Sequence, residues 1–192
     1  MKPRKRARKT RDPQETAARL VSAAEAEFNS SGFGGTDTNR IAREAGYAPQ
    51  TFYRHFPDKT AIFLAVYERW WNSEAEAAAK VLAAGGPAKA DKLADTLIAF
   101  HVTWRGFRRS LRHLSVEDDR VRAARTKARK AQVANTRRLL PKLRRSDAQI
   151  YASLLVLERL CDAVAEGEFA DMGLGKAAAR RAVIAAIEDV LR

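Results

Sequence analysis

From Asp12 to the last residue, apolar side chains recur at intervals of three and four, and no stretch alternates long enough to line one face of a strand. That period permits helices and leaves nothing from which to build a sheet, so the chain is expected to be all-α. Punctuation divides the pattern. Asp12, Pro13 and Glu15 open a helix that Gly32 closes, with Leu20, Val21, Ala24 and Phe28 on one face. A short helix capped by Thr36 or Asp37 runs to about Ala45, and a second runs from about Pro49 to Phe56, with Gly46, Tyr47 and Ala48 turning the chain between them. A long helix follows from Lys59 to about Ala84, with Ile62, Phe63, Val66, Tyr67, Trp70 and Trp71 at helical spacing, and "GGP" ends it.

The remaining segments read as helices over 91 to about 104, a short stretch to Leu114, a basic helix from a Ser115/Asp118 capping box to about Leu140, one from a Ser146/Gln149 box to about 166, and a last one over 176 to 191. Pro141 breaks the basic helix. About nine helices are expected, with the main organisational boundary at residues 58 to 65.

Two short helices joined by a glycine turn have the form of a helix-turn-helix. On a helix starting at Pro49, Phe52 and Phe56 point together toward Phe28, Ile41 and Ala45, leaving Gln50, Tyr53 and Arg54 outward. A glutamine can bond adenine at two atoms, an arginine can do so with guanine, and a phenol can reach phosphate. That outward face therefore suits a major groove.

Charge supports a polyanionic partner. The net charge is +13, and Lys2, Arg4, Lys5, Arg6, Arg8, Lys9 and Arg11 fall in an opening segment without acids, so residues 1–11 read as a basic disordered arm. The body remains basic without the arm. No run of apolar residues reaches membrane-spanning length, and the basic start is not followed by the apolar stretch of a signal peptide, so a cytoplasmic location without membrane association is expected.

Catalysis finds no support. His55, His101 and His113 lack metal-ligand spacing with one another or with Cys161, and no phosphate loop, nucleophile elbow or zinc-protease motif occurs. Cys161, the single cysteine, sits in an apolar helical run where an inert thiol is expected. No cofactor or metal is expected. The rival to a sequence-specific reader is a basic helical interaction protein that binds polyanions without sequence preference.

The stretch "GFGGTDTNRIAREAGYAPQTFYRHFPDKTAIF", residues 32 to 63, resembles the DNA-binding signature of the TetR family of bacterial transcriptional regulators. Its marks are a glycine-aromatic-glycine entry, a threonine-rich cap, I-A-x-x-A-G, an aromatic-Tyr pair ahead of His-Phe, and a following lysine. The resemblance implies phosphate contacts from Thr38, Thr51, Tyr53, His55 and Lys59, and positions near base edges for Asn39, Pro49, Gln50 and Arg54. Gln50 and Pro49 depart from what many relatives carry, which bears on the sequence recognised rather than on DNA binding.

The resemblance also implies a three-helix DNA-binding domain over 12–60 and a helical effector-binding and dimerisation domain over 61–192. It implies a homodimer on a palindromic operator, acting as a repressor released by a small-molecule effector. Tyr67, Trp70, Phe100, His101, Trp104 and Phe107 are candidates for the effector cavity, with an aromatic or amphipathic molecule expected near Trp104. Arg105, Arg108, Arg109 and Arg112 nearby either favour an anionic effector or, as the simpler reading, form a solvated face. For the dimer interface, built from the last two long helices, the candidates are Tyr151, Leu154, Leu155, Glu158, Ile187 and Leu191.

Overall fold

A computed structural model describes residues 12–192; the basic arm at 1–11 lies outside the described residues. Among them are ten helices and no strand: α1 (Pro13–Ser31), α2 (Thr38–Glu44), α3 (Pro49–Tyr53), α4 (Lys59–Ala84), α5 (Lys89–Thr103), α6 (Arg105–Glu117), α7 (Asp119–Leu139), α8 (Asp147–Glu166), α9 (Glu168–Asp171) and α10 (Lys176–Leu191).

Asp12, Asp37 and the Ser146/Gln149 pair cap helices where the sequence places them, and Asp58 adds a cap at α4 beyond those expected. Asp12 accepts from the Gln14 amide at 2.9 Å, Asp37 from Arg40 at 2.8 Å and Asp58 from Ala61 at 2.7 Å, while Ser146 and Gln149 close a reciprocal capping box at α8. Thr36 is not the α2 cap; it is buried and its hydroxyl donates to Glu27 Oε2 at 2.8 Å.

Three boundaries differ from expectation. α3 stops at Tyr53, because the amides of His55 and Phe56 both turn back to the Phe52 carbonyl and Pro57 disfavours a helical Phe56. Ser115 lies inside α6 with its hydroxyl donating to the Arg112 carbonyl at 2.8 Å, and Asp118 caps α7 by accepting from Arg120 and Val121. The one-turn α9 follows Gly167, whose left-handed φ of 89° ends α8.

Two apolar clusters hold the bundle. The first joins α1, α2 and α3 to the start of α4 and to α6, around Phe28, Phe52, Phe63 and Phe107. The Phe63 ring stacks on Phe107 at 4.7 Å and meets Phe28 edge-on at 5.2 Å. The second joins α5, α8 and α10 through Leu93, Ile150, Leu157, Val183 and Ile187. Packing is continuous through residues 58 to 65, since Ile62, Phe63 and Val66 belong to the same cluster as the helices before them.

Candidate nucleic-acid interface

α2 and α3 are short, and each turns one side into the first cluster: Ile41 and Ala42 from α2, Phe52 from α3, all fully buried. What remains faces out. Between them Gly46 adopts φ +77°, and the Tyr47 amide bonds the Ala42 carbonyl at 2.8 Å, so the reversal fixes the angle at which α3 leaves.

Asn39, Pro49, Gln50, Tyr53 and Arg54 are exposed, and Thr38, Thr51 and His55 half-buried. Tyr53 is 56% exposed even though its ring meets Phe52 edge-on, and its hydroxyl lies 2.9 Å from Thr38 Oγ1. That bond ties α2 to α3 and sets two hydroxyls side by side on the surface. The Arg54 guanidinium has no carboxylate partner among the described residues, whereas Arg40 is held by Glu27 at 2.9 Å. The surface therefore offers donors and, in Arg54, a guanidinium without a carboxylate partner among the described residues.

Lys59 is positioned differently from its neighbours. Its ammonium donates to the carbonyls of Phe33 at 2.7 Å and Thr36 at 2.9 Å and sits 4.2 Å from the Phe33 ring centre. Burial lowers its pKa, with Asp37 opposing. Two of its three N–H groups brace the loop between α1 and α2, leaving one for any other contact.

The larger half corrects several sequence expectations. Phe107 is fully buried, with Trp104 edge-on to it at 5.7 Å, and Phe100 packs against the same cluster; these three fill core space rather than line a cavity. Tyr67, Trp70 and His101 do line one, a void of about 50 Å³ shared with Glu74 and Arg108. A larger, mostly apolar cavity of about 330 Å³ adjoins it, sharing Trp71, Glu74, Leu97 and Leu157.

The arginines of α6 are not one solvated face. Arg105 and Arg109 are exposed, but Arg108 is only 2% exposed, lies over the Trp70 ring at 4.8 Å, and reaches Asp162 at 2.6 Å and Glu158 at 2.9 Å. Arg112 joins Asp162 at 2.8 Å and also contacts Glu166. Glu158 additionally receives Arg125 at 3.0 Å and Arg129. Both His101 ring nitrogens face carboxylates, Asp162 at 2.9 Å and Glu74 at 3.3 Å. Burial favours a neutral Asp162, but hydrogen bonds from His101 and Arg108 outweigh it and hold its pKa well below the usual carboxylate range. Helical spacing gave a usable signal for this network: Arg108 falls between Trp104 and Leu111 on the apolar side of α6, and Asp162 follows Cys161 on that of α8.

Of the proposed interface residues, Leu154 and Ile187 are buried within the protomer core, and Glu158 is enclosed by arginines of the same chain. The inner faces of α8 and α10 that carry Leu154 and Ile187 pack on α5. Tyr151 is exposed, Leu155 and Leu191 are half-buried, and Val156, which sequence reasoning missed, is 56% exposed beside Leu155.

Other couplings visible only in three dimensions tie α1 and the start of α4 to the larger half. Asn29 of α1 accepts through Oδ1 from the amides of Gly106 at 3.0 Å and Phe107 at 3.2 Å, capping α6 from another helix, while its Nδ2 donates to the Thr103 carbonyl. Arg120 of α7 meets Asp58 at 2.8 Å.

Comparison with known proteins matches this geometry. Residues 20–66 fit the family described as bacterial regulatory proteins, tetR family. An HTH-type transcriptional repressor of Streptomyces coelicolor is 41% identical over 59 residues, which is 31% of this chain and 31% of the relative, so the likeness spans about a third of that protein. Among solved structures, a Mesorhizobium loti protein described as a TetR-family transcriptional regulator is 23% identical with a TM-score of 0.69, over 95% of this chain and 98% of the other. A transcriptional regulator of Rhodococcus sp. Rha1 is 16% identical with a TM-score of 0.72, over 91% and 95%. The structural likenesses establish the fold, and within it residues 20–66, the stretch that holds α2 and α3, match the family of bacterial regulatory proteins described as tetR.

Proposed function

We propose that this protein is a cytoplasmic, dimeric transcriptional repressor that reads a palindromic operator through α2 and α3 and is released by a small-molecule effector bound in the larger half. The observation that carries the reading is the outward face of the helix pair. Phe52 and Ile41 anchor the two helices from within, and the Thr38–Tyr53 pair joins them at the surface beside the unpaired Gln50 and Arg54. An aromatic hydroxyl held at such a position is suited to a phosphate oxygen, and an exposed glutamine on the same short helix to a base edge.

Residues 12–60 act as the reading head and 61–192 as the sensing and pairing part. Pairing uses the outward side of α8, where Tyr151, Leu155 and Val156 leave apolar surface that a second copy would cover, and Leu191 of α10 adds to it. Asn29 capping α6 and Arg120 held by Asp58 give the sensing part direct purchase on the reading head. Displacement of α6 or α7 by an effector would thereby change the spacing of two heads in a dimer.

The test contrasts two substitutions on one face. Tyr53→Phe should weaken binding to every duplex by about fivefold, the worth of one hydrogen bond. Gln50→Ala should change which sequence is preferred. Equal weakening of random and selected duplexes by both would favour a polyanion binder without sequence preference.

A further inference from the structure

The two adjoining cavities differ in chemistry. The larger, about 330 Å³, is walled by apolar side chains of α4, α5, α8 and α10, including Ala78, Leu82, Leu93 and Val190, and on its α7 side by Gln132, Thr136 and Arg138. Its size is at the lower end of what encloses a compact organic ligand. The smaller, about 50 Å³, is lined by Trp70, Glu74 and His101.

Two buried polar atoms beside this void have no hydrogen bond. The indole Nε1–H of Trp70 lacks an acceptor although the residue is 3% exposed, and Glu74 Oε1 lacks a donor, standing 3.3 Å from His101 Nε2. A buried polar group without a partner keeps its desolvation penalty uncompensated, so the site favours whatever satisfies these two.

The surrounding charges restrict what that can be. Around the smaller void, Arg108, Arg112, Arg125 and Arg129 are each already held by Glu158, Asp162 or Glu166, and Arg138, exposed on the α7 wall of the larger cavity, donates to Asn135, so no guanidinium beside the two unpaired atoms is spare for an anion. A cation would meet the Trp70 N–H and the Arg108 guanidinium lying 4.8 Å over the same ring. A hydroxyl fits both orphans, since it accepts one hydrogen bond and donates another.

We infer that the joined cavities bind a neutral, mostly apolar molecule carrying one hydroxyl, its apolar body among Ala78, Leu82 and Leu93, its hydroxyl accepting from Trp70 Nε1–H and donating to Glu74. This rests on the reading that the larger half holds the effector, and it specifies that effector's chemistry.

Calorimetric titration of the full chain with 1-naphthol, naphthalene and 1-naphthoate tests it without DNA present. The expected result is 1-naphthol binding at one site per chain, at least tenfold tighter than the other two. Trp70→Phe should erase that preference while keeping the naphthalene affinity, Glu74→Leu should reduce it about fivefold, and Glu74→Gln, whose amide oxygen still accepts, should retain most of it. Ala78→Leu, which narrows the apolar end, should weaken naphthol and naphthalene together, and melting curves identify any variant that fails to fold. Equal affinities for 1-naphthol and naphthalene, a preference untouched by Trp70→Phe, or no binding of any of the three would overturn the inference. Because heat is read directly, such failure beside intact duplex binding would leave the DNA-reading account standing.

Discussion

Gly106→Ala tests how tightly the reading head is fastened to the rest of the molecule. A Cβ at position 106 would lie 1.9 Å from the Asn29 carbonyl oxygen and 2.8 Å from its carbon, about 1.5 Å inside ordinary contact at 3.4 Å. Both atoms are backbone and cannot swing aside. α1 and α6 would have to separate, stretching the Asn29 bonds to the Gly106 and Phe107 amides and drawing Phe107 from its stack on Phe63. Forced overpacking costs about 1–3 kcal/mol and a lost helix cap about 1 kcal/mol, against a gain of at most about 1 kcal/mol for alanine over glycine in a helix. The net expectation is a loss of about 1–3 kcal/mol. Urea unfolding followed by circular dichroism at fixed protein concentration measures it, with Gly34→Ala as control because nothing lies within 4 Å of its added Cβ. If Gly106→Ala proved as harmless as Gly34→Ala, the close packing of α1 on α6 would be wrong.

Lys59→Met should cost about 2 kcal/mol of stability through loss of the two carbonyl bonds, and leave the slope of log affinity against log salt unchanged; a slope reduced by about one would mean that its remaining N–H reaches phosphate. Tyr151→Glu with Val156→Glu should convert the dimer to a folded monomer by sedimentation and abolish operator binding at micromolar protein, whereas an unchanged sedimentation coefficient would move the interface elsewhere. Asp162 has a folded-state pKa below its ordinary value of 3.8, so the stability it contributes is present above that value and is lost as pH falls through and below it. The urea midpoint should therefore fall between pH 5 and pH 3 by less in Asp162→Asn than in the parent protein, and parallel curves would contradict the assignment.

Much of the fold was legible because helix punctuation is local: Asp12, Asp37, Ser146 and the glycines at 32, 46 and 85 act within a turn or two of themselves. The outward placement of Tyr53 was legible for the same reason, since on so short a helix burying Phe52 turns the next residue, about 100° round, toward the surface. What escaped depends on neighbours distant in the chain. The apolar width of α8 suggested a surface for a partner, yet Leu154 and its neighbours spend most of it on α5 and α10, leaving only Tyr151, Leu155 and Val156 outside. Trp104 and Phe107 looked like a cavity wall because aromatic clustering is the same in sequence whether the rings enclose space or fill it. Arg108 was grouped with its exposed neighbours although it shares the buried side of α6, because burying a guanidinium requires the carboxylates of Glu158 and Asp162, some fifty residues away. Cys161 met the simpler expectation: it is buried, and burial raises its thiol pKa to about 12.

The central claim is that the exposed face of α2 and α3 reads sequence in a two-fold assembly. Incubating the full chain with a random duplex library at about 0.15 M salt, where nonspecific phosphate binding is weakened, and sequencing what it retains tests that claim directly. The account predicts a palindrome whose half-sites are spaced to present the same groove to both heads; retention without sequence preference would contradict it and leave a basic helical protein that binds polyanions by charge alone.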